Sequence, residues 1–254
     1  MLAKLFKHEL IDLFKKTILY FSIVIGLSLL VFLFGELGKN IRIFSVLKDL
    51  MFVGYVFSII GIILYSVIYP VVRYYRSLLS DEGYLTHTLP VTTNQLLFSK
   101  LICAFLLFLS SIIVAVLSLL FTNVLDKELL DLIVYSLNPN KYISYAYILF
   151  YLVVYYFAIV MMFITSMTIG HSSTTKKVRN SIVVGIVIYI IQQTLGLIGI
   201  GITYLINPNI FDDIINQNAS AFTFYLMGAI VYLLLVVFEI VVTRLFLKNK
   251  LNLE

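Results

Sequence analysis

The chain has 254 residues, 61% hydrophobic and only 12% charged, with a net charge of +5 and a mean hydropathy of +1.05. A soluble globular domain is nearer half apolar and a quarter charged, so this balance excludes one and predicts an integral membrane protein. One cysteine, Cys103, excludes an intrachain disulfide, and the positive charge calls for no nucleic-acid partner once membrane topology accounts for it.

In chain order, the first element predicted is a helix over 1–16. At 100° per residue, Leu2, Leu5, Phe6, Leu10, Leu13 and Phe14 gather on one side and Lys4, Lys7, His8, Asp12, Lys15 and Lys16 mostly on the other. A basic amphipathic helix just ahead of a span is expected to lie in the membrane interface. Six apolar windows follow, at 17–34, 51–72, 97–121, 143–169, 181–206 and 223–243. Each holds about 20 residues, enough to cross a hydrocarbon core of about 30 Å as a helix. Helices are required because each satisfies its own backbone in lipid, and no strict two-residue alternation suggests a barrel. The fold class is therefore all-α: six transmembrane helices in a single permease-like domain, 1–254, preceded by the interfacial helix.

Basic residues set the orientation. Thirteen of the 18 Lys and Arg fall on one side: four before the first span, Arg73, Arg76 and Lys100 between the second and third, Lys176, Lys177 and Arg179 between the fourth and fifth, and three after the sixth. The positive-inside rule makes that side, and both termini, cytoplasmic. No cleavable signal is read at the start, because the first apolar run is long and lacks a small-residue cleavage site. Abundant Ile, Tyr, Phe and Asn with no Trp suggest a bacterial coding bias.

The long polar interruption at 73–97 is dense in structural signals. Ser80 is a good N-cap, Asp81 and Glu82 suit a first helical turn, and Pro90 ends that short helix by Leu89. Thr92-Thr93-Asn94-Gln95 then reads as a capping box that starts the helix of the third span. The segment is a helix, a turn and a new helix, a rigid geometry suited to transmitting force.

Asp81-Glu82-Gly83-Tyr84-Leu85-Thr86-His87-Thr88-Leu89-Pro90-Val91, with Lys100 nine residues later, resembles the first cytoplasmic loop of six-span ABC exporter permeases of the type-two class. Thr92 and Thr93 depart from the basic residue that many relatives carry there. The resemblance implies a coupling helix between the second and third spans, a second permease as homodimer or related heterodimer, and two copies of an ATP-binding cassette subunit that hold ATP and Mg. It also implies a bacterial cell membrane location. Asp81, Glu82, Gly83, Tyr84, Leu85 and His87 would dock on the ATPase, Tyr84 and Leu85 as anchors and the acids at its rim. The bland alternative is a solvated acidic turn whose charges cap a helix. Independently, the chain contains no G-x-x-x-x-G-K-[ST] loop, so it is not expected to hydrolyse ATP itself, and its three scattered His suggest no zinc site or catalytic triad.

Between the fourth and fifth spans, Ser173, Thr174 and Thr175 are candidate caps for the following helix. Polar groups inside the spans are few and each is a candidate. Glu239 can line a cytoplasmic entrance for a cationic substrate, or pair with Arg244 or a neighbouring helix. Gln192 and Gln193 can line a pathway or hydrogen-bond between helices. Tyr147, Tyr151 and Tyr155 share one face at helical spacing, as the wall of a conduit or as ordinary packing. Asn-Pro-Asn turns are predicted at 138–140 and 207–209. The expected function is export of a membrane-active or amphipathic peptide, as in the antimicrobial-peptide and phenol-soluble modulin exporters that compact permeases resemble. Export of a drug, lipid or ion by the same architecture, or ion-coupled secondary transport, are the alternatives.

Overall fold

A computed structural model of the chain describes residues 2–80, 83, 92–122, 142–173, 175–215 and 222–249. Its described elements are helical: α1 (Leu2–Gly38), α2 (Arg42–Tyr74) continuing into a π-helical turn (Tyr75–Leu79), α3 (Thr93–Phe121), α4 (Tyr142–His171), α5 (Lys177–Ile206), a short α6 (Ile210–Ile215) and α7 (Phe222–Asn249). Six of them are long and apolar enough to cross a membrane: Phe6–Gly38, Arg42–Leu79, Thr93–Phe121, Ala146–His171, Lys177–Ile206 and Phe222–Lys248. Among the described residues the chain is thus all-α with six candidate membrane spans, as in a multi-pass membrane protein.

The helices overrun the apolar windows. At about 1.5 Å per residue the 37 residues of α1 reach about 55 Å, well beyond a hydrocarbon core of about 30 Å. No separate interfacial helix is seen among residues 2–16, which continue without a break into the first span. Part of their apolar face finds protein: Leu13 is buried with Cys103 and Leu107 of α3, and Phe6 and Leu10 pack there with Tyr65 and Tyr69 of α2, while Phe14 is exposed. The second span likewise runs past the expected stop at 72 to Leu79, closed by a wide-turn hydrogen bond from the Ser80 amide to the Tyr75 carbonyl at 3.1 Å.

The described chain forms two compact units whose boundaries fall after Pro70, inside α2, and between Thr93 and Asn94 at the start of α3. Pro70 lacks the amide that would continue the helix ladder. The first unit contains α1, α2 up to Pro70, and α3. Val24 and Val31 of α1 meet Tyr55 and Ile62 of α2, with Val114 of α3 against them. Tyr55 and Ser118 share a buried hydroxyl hydrogen bond of 2.8 Å between α2 and α3. Buried serines such as Ser99 and Ser111 donate to carbonyls three or four residues back, satisfying hydroxyls where no water is at hand.

In the second unit α4 is the middle element: α5 and α7 both pack on it and on each other, and the π-helical turn lies against it. Val154 and Ala158 of α4 pack with Tyr232 and Leu235 of α7. Tyr74 is fully buried and shares a 2.6 Å hydroxyl bond with Thr168 of α4. At the α4–α5 turn Gly170 lies so close to Ser181 that a Cβ would collide with its hydroxyl and backbone. The predicted 207–209 turn forms: the Asn207 side chain accepts from the Asn209 amide at 3.1 Å and donates to Asp213 at 2.7 Å, fixing the start of α6. The turn at 138–140 lies outside the described residues.

Candidate functional site

The polar residues of the second unit converge on one seam along α4. Gln192, sixteenth of the 30 residues of α5, donates its side-chain amide to Glu239 Oε1 on α7 at 3.0 Å and to the Ala158 carbonyl on α4 at 3.3 Å. One helical turn along, Thr165 of α4 and Thr243 of α7 share a hydroxyl hydrogen bond of 2.9 Å, and Thr165 also approaches the Glu239 carbonyl at 3.5 Å. Three helices are therefore tied by side chains that would each be costly against lipid.

Glu239 is only 3% exposed, and its second oxygen, Oε2, is buried with no hydrogen-bond partner. A carboxyl left half-satisfied in a low-dielectric interior loses free energy that packing alone does not return. Such a group in a span is a functional candidate by default. Of the two bland partners considered for it, the neighbouring helix is the one present: Gln192 binds it, while Arg244 is exposed.

Gln193 does not join this seam. It is exposed and edges a small groove of about 100 Å³ between α5 and α7, with Tyr151, Tyr232 and Thr203 on its wall. Adjacent helical positions differ by 100° in direction, so the two glutamines have separate surroundings. The tyrosine stripe forms a ring cluster with α7. Tyr151 and Tyr155 stack at 6.0 Å, Tyr155 meets Tyr232 edge-on at 5.2 Å, and Tyr147 stacks on Phe222 at 5.3 Å. These contacts account for the stripe as aromatic packing between α4 and α7, while Tyr151 also reaches the groove.

Of the segment singled out between the second and third spans, Asp81, Glu82, Tyr84, Leu85 and His87 lie outside the described residues. Gly83 is described: it is buried, its amide donates to the Ser80 carbonyl at 2.7 Å, and a Cβ there would come 2.7 Å from the Leu78 carbonyl oxygen. A side chain at 83 would force that backbone apart. The Ser80 hydroxyl turns back and donates to the Arg76 carbonyl at 3.0 Å, at the end of the preceding helix. α3 begins at Thr93, directly after Thr92, where the capping box places it. Ser173 also turns back, its hydroxyl donating to the Gly170 carbonyl at 2.6 Å, and the cap position of α5 is taken by Lys176 in the left-handed region at φ 54°.

Sequence reasoning missed a second, largely buried carboxylate, in the first unit. Glu9 of α1 accepts from the Lys100 ammonium of α3 at 2.6 Å, with the two side chains 13% and 6% exposed. Cys103 lies 3.9 Å from the other oxygen of Glu9. The signal was available: Glu9 is four residues from both Leu5 and Leu13, so it lies within the apolar stripe of the first helix, where an acid needs a buried cation.

Comparison of the chain with protein-family models, with curated proteins and with solved structures finds no match in any of the three.

Proposed function

We propose that this chain is the membrane-spanning permease subunit of an ATP-driven exporter, moving a membrane-active or amphipathic peptide out of the cytoplasm or inner leaflet of a bacterial cell membrane. Both termini are then cytoplasmic, two permeases assemble with two ATP-binding subunits, and ATP and Mg are held by those partners. The observation that carries the reading is the residue run from Asp81 to Val91, with its acidic pair, buried Gly83 and Leu-Pro-Val ending, set between the second and third of six spans. Helix extends to Leu79 on one side and resumes at Thr93 on the other, so the segment is short and attached to regular structure at both ends.

The test is affinity purification of the full chain from gently solubilised membranes, followed by mass spectrometry. Recovery of an ATP-binding subunit, lost with Glu82→Arg while the variant still inserts and stays monodisperse, is the expected result. Retention of that subunit by Glu82→Arg would remove the docking assignment, and recovery of no ATPase would remove the exporter.

One feature favours a second reading, ion-coupled transport: Glu239 is an acid inside a span with an unsatisfied oxygen. Under that reading flux follows an ion gradient and stops with ionophore. Under the first reading it follows ATP, and Glu239 contributes a polar point on the substrate's route.

A further inference from the structure

Inside the six apolar windows the chain carries four amide or charged side chains: Lys100, Gln192, Gln193 and Glu239. Three of them are met within the chain, Lys100 by Glu9, and Gln192 and Glu239 by each other. Gln193 is the exception. It is exposed, and among the described residues nothing bonds its amide. As the seventeenth of the 30 residues of α5 it has at least about 20 Å of helix to either end, so its side chain falls well short of the water at the membrane surfaces. A free amide at that depth brings donors and an acceptor into hydrocarbon, where each unmade bond is costly.

The face around Gln193 is patterned for another helix. Ile190, Gln193, Leu197, Ile200 and Tyr204 recur at alternating steps of three and four, the seam of a helix that packs lengthwise on a partner, and all five are exposed. Gly201, one turn on from Leu197, has open space where a Cβ would stand, so a neighbouring backbone can come close there. Of the six spans α5 has the smallest buried share.

We infer that this face of α5 is the contact between two copies of the chain, with the two Gln193 side chains bonded to each other. Copies inserted under the same topology rule share one orientation, so a two-fold axis along the membrane normal sets α5 parallel to its copy and brings residue 193 opposite itself. The glutamine amide donates at its nitrogen and accepts at its oxygen, so the pair closes two hydrogen bonds between identical groups. Acyl chains would cover Ile190, Leu197 and Ile200 and leave the amide unmet. An unrelated span would need an amide of its own at the same depth, which a second copy brings by identity. Water in the adjoining groove of about 100 Å³ is the remaining rival for the amide, and it predicts no contact between copies. One polar side chain in an apolar seam also fixes register and partner number. The contact gives a surface to the pairing of permeases proposed above; it rests on that pairing joining two identical chains, and not on the ATPase or the substrate.

Cross-linking of the full chain in its membrane tests the contact. Leu197→Cys, oxidised with copper phenanthroline, should give a disulfide-linked dimer, whereas Ile198→Cys, also exposed but turned about 100° away, should give little. The unaltered chain, whose Cys103 is buried, is the blank. In liposomes, resonance energy transfer between labelled copies, followed as lipid dilutes them, reads the strength of association. Gln193→Leu should weaken it about tenfold, and Gln193→Asn, which keeps an amide, should recover most of the loss. Equal cross-linking at 197 and 198, or association unchanged by Gln193→Leu, would overturn the contact. Dimers joined through another face would overturn it too and leave the exporter reading standing, because recovery of an ATPase is read separately. If Gln193→Leu aggregates, the cysteine pair decides alone.

Discussion

Glu9 in the first unit and Glu239 in the second are both acids sunk among helices, and their settings are opposite. Glu9 meets a lysine 91 positions away at 2.6 Å and has charge matched with charge. Glu239 meets an uncharged amide at one oxygen and nothing at the other. A matched pair is costly to break and needs no further ligand. A half-satisfied carboxyl is poor structural glue, since an apolar residue of similar size would hold three helices together at lower cost. The difference assigns Glu9 to holding α1 on α3 and leaves Glu239 as the candidate functional acid of the proposed transport.

The largest effect should come from breaking the matched pair. Lys100→Met leaves Glu9 buried without a cation and is expected to cost about 3–5 kcal/mol, seen as a large fall in the unfolding temperature of the detergent-solubilised protein. Adding Glu9→Leu should recover most of it, because the double variant leaves no lone charge. Glu239→Gln should behave in the opposite sense. Replacing a half-satisfied ionisable group by an amide whose oxygen can keep the bond from Gln192 is expected to leave stability unchanged or raise it by about 1 kcal/mol, while transport drops. A stability loss like that of Lys100→Met would place Glu239 among the structural residues and end the contrast.

Smaller effects sharpen the comparison by calibrating ordinary interhelical bonds. Tyr74→Phe removes the bond to Thr168 and should cost about 1 kcal/mol, at the low end because the Thr168 hydroxyl retains its donor bond to the Ile164 carbonyl at 2.7 Å. Least affected should be Lys16→Ala, which breaks an exposed pair with Asp12 at 3.0 Å and is expected to change stability by less than about 0.5 kcal/mol.

The six spans were legible because twenty apolar residues in a row have few other uses, and the 207–209 turn because Asn side chains bond their own backbone. Helix ends were not legible. Hydropathy marks where lipid stops, whereas α1, α2 and α5 continue into polar sequence for as long as the backbone ladder pays no penalty. The interfacial helix was misjudged for the same reason: amphipathicity gives a face to bury without saying against what, and Leu13 is buried on Cys103 and Leu107. That Gln192 and Glu239 were worth singling out followed from their polarity within spans. Their meeting, 47 positions apart, depends on how α5 and α7 pack on α4, which local sequence does not encode.

The most direct measurement is uptake of a fluorescent amphipathic peptide into inside-out membrane vesicles containing this chain and the ATP-binding subunit recovered with it. Uptake that requires hydrolysable ATP, persists when ionophores collapse ion gradients and is lost with Glu82→Arg is the predicted result. Uptake that proceeds without ATP and stops with ionophore would contradict the exporter and make Glu239 the centre of an ion-coupled transporter.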